Sequence, residues 1–141
     1  GLTAERKPVL YRSVDGGASW RQLKGPFESD YLVYSIAVDP TSASVVYISS
    51  SDGVYRSLNG GAAWTKISYW GGVAIAVNPL EPSEVFIGGS NGIQFSADRG
   101  AHWTDITGDL AAPDVAGIVL DPAARIVYVA TDGAGICKRK F

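Results

Sequence analysis

The sequence contains no methionine and only one cysteine and one histidine. A single cysteine excludes an intramolecular disulfide and a cysteine-based zinc site, so we interpret Cys137 as a buried, inert thiol. His102 has no second histidine and no nearby cysteine to share a metal ion or a catalytic triad. We therefore expect no metal and no other cofactor. Because methionine is absent even at position 1, we also expect a processed or partial chain.

Charged residues are scarce, at 18% of the sequence, and they nearly balance to a formal net charge of −2. This balance provides no electrostatic basis for binding nucleic acid or an anionic membrane. The basic run Lys138-Arg139-Lys140 is interpreted as a solvated end of the chain. No apolar run approaches the ~18 residues of a membrane span, and the N-terminus has no apolar signal-peptide core. We expect neither a nucleic-acid partner nor membrane insertion.

The sequence is rich in glycine, with 17 residues, and it repeats one turn motif three times. In each copy a serine is followed after two residues by Asp or Asn, then after two more by Gly, and after three more by Trp. The intervals of 44 and 39 residues lie in the range of one four-stranded β-propeller blade. The motif positions are Ser13, Asp15, Gly17 and Trp20; Ser57, Asn59, Gly61 and Trp64; and Ser96, Asp98, Gly100 and Trp103.

These motif residues are predicted to be structural. The Asp or Asn oxygen can accept bonds from turn amides, the glycine permits a conformation closed to other residues, and the tryptophan offers an apolar plate between blades. Asn59 supports this interpretation because an amide can still bond to the turn but cannot act as a general base.

The segments between the motifs predict four strands per repeat, named A to D. Strand A ends at Asp-Pro or Asn-Pro, where proline cannot continue a hydrogen-bonded ladder. Strand B is rich in β-branched residues and leads through a Gly-containing turn into strand C, which the repeated turn joins to strand D. The A endings are Asp39-Pro40, Asn78-Pro79 and Asp121-Pro122.

The alignment predicts an all-β fold, a β-propeller segment of about 3 to 3.5 four-stranded antiparallel blades within residues 1–141. Strands C and D of a leading blade fall in 1–24, whole blades in 31–69 and 72–108, and a blade without strand D in 115–141. Known propellers typically use four to eight blades. We therefore expect another polypeptide, or further copies of this chain, to complete the ring.

The S-x-[DN]-x-G-x-x-W turns and the IAVDP-like strand ends resemble the BNR/Asp-box repeat family over essentially the whole chain. Proteins of this kind include sialidases, xyloglucan-cleaving glycosidases, sortilin-type receptors and a photosystem II assembly factor. The resemblance implies a complete propeller of more blades than this chain holds. It also implies an extracytoplasmic location, either secreted or periplasmic, but it does not indicate one ligand or reaction.

Ligands of propellers usually contact the face formed by the D-to-A and B-to-C connections, opposite the Asp-box turns. Trp70 lies on this face as the one tryptophan outside the motifs, and it precedes Gly71-Gly72, where we expect the backbone to be least crowded. It could stack on a sugar ring or anchor a protein partner. The alternative is that Tyr69 and Trp70 pack inward over the blade edge. The other binding candidates are Tyr31, Tyr34 and Asp30.

Three functions remain open. The first is a non-catalytic binding or assembly module for a protein or a carbohydrate. The second is a fragment of a secreted, xyloglucanase-like glycoside hydrolase, which needs two carboxylates across a cleft. Asp30, Asp109 and Asp114 are catalytic candidates by location alone. The third is a purely structural subunit of a larger complex.

A sialidase is not favoured, because it requires an arginine triad for the substrate carboxylate. Arg12 and Arg56 repeat at equivalent strand C positions, which indicates a scaffold role.

Overall fold

The computed structural model describes residues 8–27, 31–110 and 114–141, and all regular structure in these ranges is antiparallel β-strand. No helix in the described ranges is long and apolar enough to cross a membrane. The strands are β1 (Leu10–Arg12), β2 (Arg21–Leu23), β3 (Val33–Asp39), β4 (Ser42–Ser50), β5 (Gly53–Ser57), β6 (Thr65–Ser68), β7 (Ala74–Val77), β8 (Val85–Gly89), β9 (Gly92–Ser96), β10 (Thr104–Asp105), β11 (Val115–Asp121), β12 (Ile126–Thr131) and β13 (Gly135–Lys140).

The strands form four sheets in which each strand pairs with the next one along the chain. Strands β1 and β2 form the leading sheet, β3 to β6 the first blade, β7 to β10 the second blade, and β11 to β13 the C-terminal sheet. Every pairing is antiparallel. The prediction of an all-β fold built from four-stranded antiparallel blades is confirmed.

Side chains at the end of strand A close the turn that follows it. The Oδ1 atom of Asp39 accepts hydrogen bonds from the backbone N–H of Thr41, at 2.8 Å, and from its hydroxyl, at 2.7 Å. Asn78 Oδ1 likewise accepts a bond of 3.0 Å from the Leu80 N–H. The side-chain oxygens accept the N–H groups of the turn, and the proline that follows has no N–H to donate to a continuing ladder, so strands β3 and β7 stop there.

The hydrophobic core lies between adjacent sheets rather than within one of them. One cluster joins the two full blades and a second joins the second blade to the C-terminal sheet. The innermost strands β3, β7 and β11 are neighbours along this stack. Fully or almost fully buried members of the two clusters are Tyr47, Val54, Val85, Ile87, Phe86, Ile93, Val127 and Val129.

The Asp-box turns share one hydrogen-bond network. In the second copy, Ser57 Oγ accepts the Gly61 N–H at 2.8 Å and donates to Asn59 Oδ1 at 2.9 Å, which also accepts the Ala63 N–H at 2.7 Å. The same three bonds recur in the first and third copies. The fifth-position glycines have positive φ, and so do the fourth positions, including the non-glycine Arg99 at 59°. Each turn therefore contains two successive residues in the left-handed backbone conformation.

Two arginines each connect one sheet to the Asp-box turn of the next, one from the leading sheet and one from the first blade. Arg12 Nη1 donates to the Gly60 carbonyl at 3.1 Å, and Arg56 Nη1 donates to the Arg99 carbonyl at 2.6 Å. Gly60 and Arg99 both occupy the fourth position of their motif. The second blade instead carries Phe95 at this position, paired with Phe86 across the sheet and packed against the cluster shared with the C-terminal sheet.

Shortening a core side chain between sheets tests this packing. Ile93→Ala is expected to lower the free energy of unfolding by about 2–5 kcal/mol, because Ile93 is fully buried between the second blade and the C-terminal sheet. Ile136 occupies the same repeat position and is 78% exposed, so Ile136→Ala should change stability by less than about 0.5 kcal/mol. Urea unfolding measures both variants, and equal losses would contradict the assigned core.

Acid should weaken two of the three Asp-box turns. Bonds from Ser19 and Ser13 lower the pKa of Asp15 from the usual 3.8 to about 2, and bonds from the His102 N–H and ring, with Ser96, lower the pKa of Asp98 even further. A pKa that is lower in the folded chain stabilises the fold above pH 3.8, and this contribution is lost as the pH falls through the folded value.

Asp98→Asn is therefore expected to reduce the loss of stability between pH 5 and pH 2, whereas Asn59→Asp should increase it. The measurement is the urea midpoint at each pH. An unchanged pH profile in both variants would show that these turns do not contribute to acid sensitivity.

Candidate functional site

The two ends of the sheets carry different connections. The Asp-box turns lie with the A-to-B turns, since the Gly60 N–H donates to the Ser44 carbonyl at 2.8 Å and the Arg99 N–H to the Ser83 carbonyl at 2.8 Å. At the other end the D-to-A and B-to-C connections bond to each other. The Ser51 N–H, for example, donates to the Leu32 carbonyl at 2.9 Å. We call this second end the loop face.

A polar and aromatic cluster lies at the loop face of the first blade. Lys66 Nζ is 2.7 Å from Asp52 Oδ2, which also accepts a hydrogen bond from the Tyr55 hydroxyl. The same ammonium lies 5.3 Å from the ring centroid of Tyr55 and 4.8 Å from that of Tyr69. Asp52, Tyr55, Lys66 and Tyr69 are called the lysine cluster below. It places an exposed tyrosine beside a cation that is itself bound to a carboxylate.

Hydrogen bonds within the lysine cluster favour the charged forms of Asp52 and Lys66. Hydrogen bonds from Lys66 and then Tyr55 lower the pKa of Asp52. Burial and the bond to Asp52 raise the pKa of the Tyr55 hydroxyl. Burial by itself would lower the pKa of Lys66, but the bonds to Asp52 and Tyr55 raise it overall. At neutral pH Asp52 and Lys66 therefore form an ion pair, and the Tyr55 hydroxyl is neutral.

Trp70, the main binding candidate from the sequence, is half-buried and packs against the core cluster between the two full blades. Its backbone N–H donates to Ser68 Oγ at 3.0 Å. The expectation of an uncrowded backbone at Gly71-Gly72 is wrong. A Cβ on Gly71 would lie 3.1 Å from the Ser50 carbonyl oxygen, and one on Gly72 would overlap the Ile87 side chain. These glycines are needed because the D-to-A connection crosses closely over the neighbouring strands.

The other aromatic candidates differ in how accessible they are. Tyr69 is 89% exposed, and Tyr34, near the start of β3, is also exposed. Tyr31 is half-buried and packs edge-on against Phe27, with ring centroids 6.5 Å apart. Asp30 lies outside the described residues. On the loop face, Tyr69 is the aromatic candidate whose ring is most available to a ligand.

The carboxylate candidates line different clefts. Asp114 is exposed at a cleft of about 270 Å³ that it shares with Asp132 and Ser90, and the Asp132 N–H donates to the Asp114 carbonyl at 2.9 Å. Asp109 lines a separate cleft of about 140 Å³ beside Lys138 and Arg139. The structure thus does not bring Asp109 and Asp114 together across one cleft.

The single cysteine and the single histidine lie apart. Cys137 is half-buried on β13, whereas the exposed His102 ring lies with Nδ1 2.6 Å from Asp98 Oδ2 in an Asp-box turn. Across residues 8–27, 31–110 and 114–141, no three His, Cys, Asp or Glu side chains are close enough to hold a metal ion.

The lysine cluster was missed in the sequence. Tyr55 and Lys66 are direct cross-strand partners of β5 and β6, and Asp52 lies in the turn that joins β4 to β5. Aligning the predicted strands C and D against each other would have paired Tyr55 with Lys66. Such an alignment does not place Asp52 or Tyr69, because these residues lie in the two connections at the loop face.

No protein-family model and no curated protein sequence matches the chain. Several solved structures do match it. An ancestral GH74 enzyme superposes with a TM-score of 0.75 at 20% identity, over 91% of this chain and 19% of the enzyme. YCF48 bound to D1 peptide gives a TM-score of 0.70 at 16% identity, over 94% of this chain and 45% of YCF48.

The extracellular domain of BT4673 from B. thetaiotaomicron gives a TM-score of 0.72 at 15% identity, over 93% of this chain and 19% of that domain. The chain spans less than half the length of each of these three proteins. All of them are β-propellers. The chain therefore has the β-propeller fold and forms a partial propeller of about three blades.

Proposed function

We propose that this chain is part of a non-catalytic binding or assembly module whose loop face binds a carbohydrate or a protein outside the cytoplasm. The observation that carries this proposal is Tyr69, an aromatic ring that is 89% exposed and is bordered on one side by the Lys66 ammonium at 4.8 Å. The exposed ring beside a fixed cation offers an aromatic face and a polar group to the same ligand.

The lysine cluster prepares Tyr69 for binding. Lys66 is held by Asp52 at 2.7 Å, so its cation remains near the tyrosine ring before a ligand arrives. A side chain that is already ordered loses less conformational entropy on association. The ring can then stack on a sugar or cover an apolar side chain of a partner, and the polar groups around it can bond to hydroxyl or backbone groups.

The similar structures support this class of function. The YCF48 structure contains a bound peptide. The GH74 proteins are enzymes, and one of them is a xyloglucanase from Xanthomonas campestris. That xyloglucanase superposes with a TM-score of 0.57 at 22% identity, over 74% of this chain and 21% of the enzyme. The BT4673 domain is extracellular. These relatives make a carbohydrate or a peptide the first ligands to test, in an extracytoplasmic setting.

Substituting Tyr69 tests the loop face as a binding surface. Xyloglucan oligosaccharides and an immobilised peptide library are the probes, and the affinity of each hit is measured by calorimetry. Tyr69→Ala is expected to weaken binding by about 3- to 10-fold, the value of one aromatic contact. Tyr11→Ala is the matched control, because Tyr11 is also an exposed tyrosine but lines a groove beside β1 that contains no member of the lysine cluster. Equal losses in both variants would overturn the proposal.

The alternative, a fragment of a glycoside hydrolase, is supported by the cleft that Asp114 shares with Asp132 and by the two GH74 structures. Two carboxylates at a cleft are the minimum for acid and base in glycoside hydrolysis. Asp109 lies at another cleft, so it is less suited to act with Asp114.

Hydrolysis of xyloglucan distinguishes the two functions. We expect the chain not to hydrolyse xyloglucan. Asp114→Asn and Asp109→Asn should leave the affinity for the oligosaccharide within about 2-fold of that of the unsubstituted chain, because neither residue contacts the lysine cluster. If the unsubstituted chain releases reducing ends from xyloglucan and a folded Asp114→Asn variant does not, the result would favour the hydrolase instead.

A purely structural subunit is the third possibility, and the half-buried position of Trp70 against the core supports it. If the chain is such a subunit, Trp70→Ala should impair assembly of the complex and leave ligand binding unchanged.

A further inference from the structure

A buried polar group of side chains lies between the first and second blades, beside an Asp-box turn. It consists of Asp39 on β3, Tyr47 on β4 and Arg56 on β5, together with Arg99 in the Asp-box turn of the second blade. We call these four residues the interface cluster. Asp39 and Tyr47 are only 1% and 0% exposed, so their polar atoms cannot rely on bulk water for hydrogen bonds.

Direct contacts hold the interface cluster together. Tyr47 and Arg56 are cross-strand partners. Arg56 Nη1 donates to the Arg99 carbonyl at 2.6 Å, and Arg99 Nη2 lies 3.9 Å from Asp39 Oδ2. Burial raises the pKa of the Tyr47 hydroxyl, and the charges of Arg56 and Arg99 counteract this effect. The hydroxyl is therefore within electrostatic range of both guanidinium groups.

Three buried atoms of the interface cluster have no hydrogen-bond partner among the described residues. They are Asp39 Oδ2, the Tyr47 hydroxyl oxygen and Arg56 Nε. The other carboxylate oxygen of Asp39 is occupied, since it accepts both bonds from Thr41. The 3.9 Å between Asp39 Oδ2 and Arg99 Nη2 is too long for a hydrogen bond. Because an unpaired buried polar atom costs free energy, we expect these three atoms to have a partner.

At the interface between the second blade and the C-terminal sheet, the equivalent positions are satisfied without such a partner. The hydroxyl and the guanidinium of the interface cluster are both replaced there by phenyl rings, at Phe86 and Phe95. Asn78 replaces the carboxylate. Its Nδ2 donates to Glu84 Oε2 at 2.6 Å, and its Oδ1 accepts the Leu80 N–H at 3.0 Å. The three polar groups thus change together between the two interfaces, as expected if they share one partner.

We propose that an ordered water molecule binds in the interface cluster and is that partner. It accepts hydrogen bonds from Arg56 Nε and from the Tyr47 hydroxyl, and it donates one to Asp39 Oδ2. A buried water typically makes about three hydrogen bonds, so these contacts are sufficient to hold it. The water connects β3, β4 and β5 to one another beside the Asp-box turn of the second blade.

The charges of the interface cluster favour water over an ion. A bound anion would face the carboxylate of Asp39, and a bound cation would face the guanidinium groups of Arg56 and Arg99. Water has no net charge and can both donate and accept, so it matches two free donors and one free acceptor. This site belongs to the scaffold and is independent of ligand binding at Tyr69.

A crystal structure of the unsubstituted chain, at a resolution that shows ordered water, is the direct test. A peak of electron density should lie within about 2.5–3.2 Å of Asp39 Oδ2, the Tyr47 hydroxyl and Arg56 Nε. Crystals soaked in sodium bromide should show no anomalous signal at this position, because bromide replaces a bound anion and not a water. The proposal would be overturned by the lack of any density there or by an anomalous bromide peak.

Tyr47→Phe tests whether the water stabilises the interface. Loss of the hydroxyl leaves the water one bond short, so the equilibrium constant for unfolding in urea should rise about 3- to 10-fold. Tyr128→Phe is the matched control, since Tyr128 holds the same repeat position but is only half-buried, and it should change this constant by less than about 2-fold. If the Tyr47 hydroxyl were unpaired in a dry interface, its removal would stabilise the fold. An unchanged or lower constant for Tyr47→Phe would therefore contradict the bound water.

Asp39→Asn tests whether Asp39 and Tyr47 share the water. The amide oxygen can still accept the bonds from Thr41, but the amide nitrogen is a donor where the water needs an acceptor. The effects of Asp39→Asn and Tyr47→Phe on the unfolding constant should be less than multiplicative in the double variant, because each disrupts the same water. Circular dichroism confirms that each variant is folded. Fully multiplicative effects would show that no water links the two residues.

Discussion

The fold depends on one constraint: the apolar face of a sheet is buried only where a neighbouring sheet covers it. In β4 the successive residues Tyr47 and Ile48 are both fully buried, although alternate side chains of a strand point to opposite faces. Tyr47 packs toward the second blade, and Ile48 packs toward the leading sheet. No single sheet of this chain could be stable in water by itself, so stability is shared along the stack.

Hydrogen bonds at the rim keep adjacent sheets in register. Apolar packing is not directional, and it would allow sheets to slide past one another. The bonds from Arg12 and Arg56 to carbonyls of the next Asp-box turn, and the bond of 3.0 Å from Trp103 Nε1 to the Ile67 carbonyl, fix the relative position of neighbours. The Asp-box turn therefore has two roles, since it closes its own hairpin and presents a carbonyl to the preceding sheet.

The opposite end of the sheets makes fewer contacts of this kind. The D-to-A and B-to-C connections bond to each other, and outside crowded positions such as Gly71-Gly72 their side chains differ from blade to blade. Asp52 in the first blade corresponds to Asn91 and Asp132 in the others, and only Asp52 holds a lysine. A distinct chemical surface can arise on one blade in this way while the scaffold stays regular.

The sequence by itself determined the repeat, the strand order and the ends of strand A, because these follow from turn chemistry and side-chain alternation within a few residues. It also indicated that Asp15, Asn59 and Asp98 belong to turns. The tertiary structure alone decided that Gly71-Gly72 is a crowded crossing, that Trp70 packs partly inward, and that Lys66 lies over Tyr69. Each of these depends on which residues of separate strands or sheets approach one another, and local sequence patterns do not encode that approach.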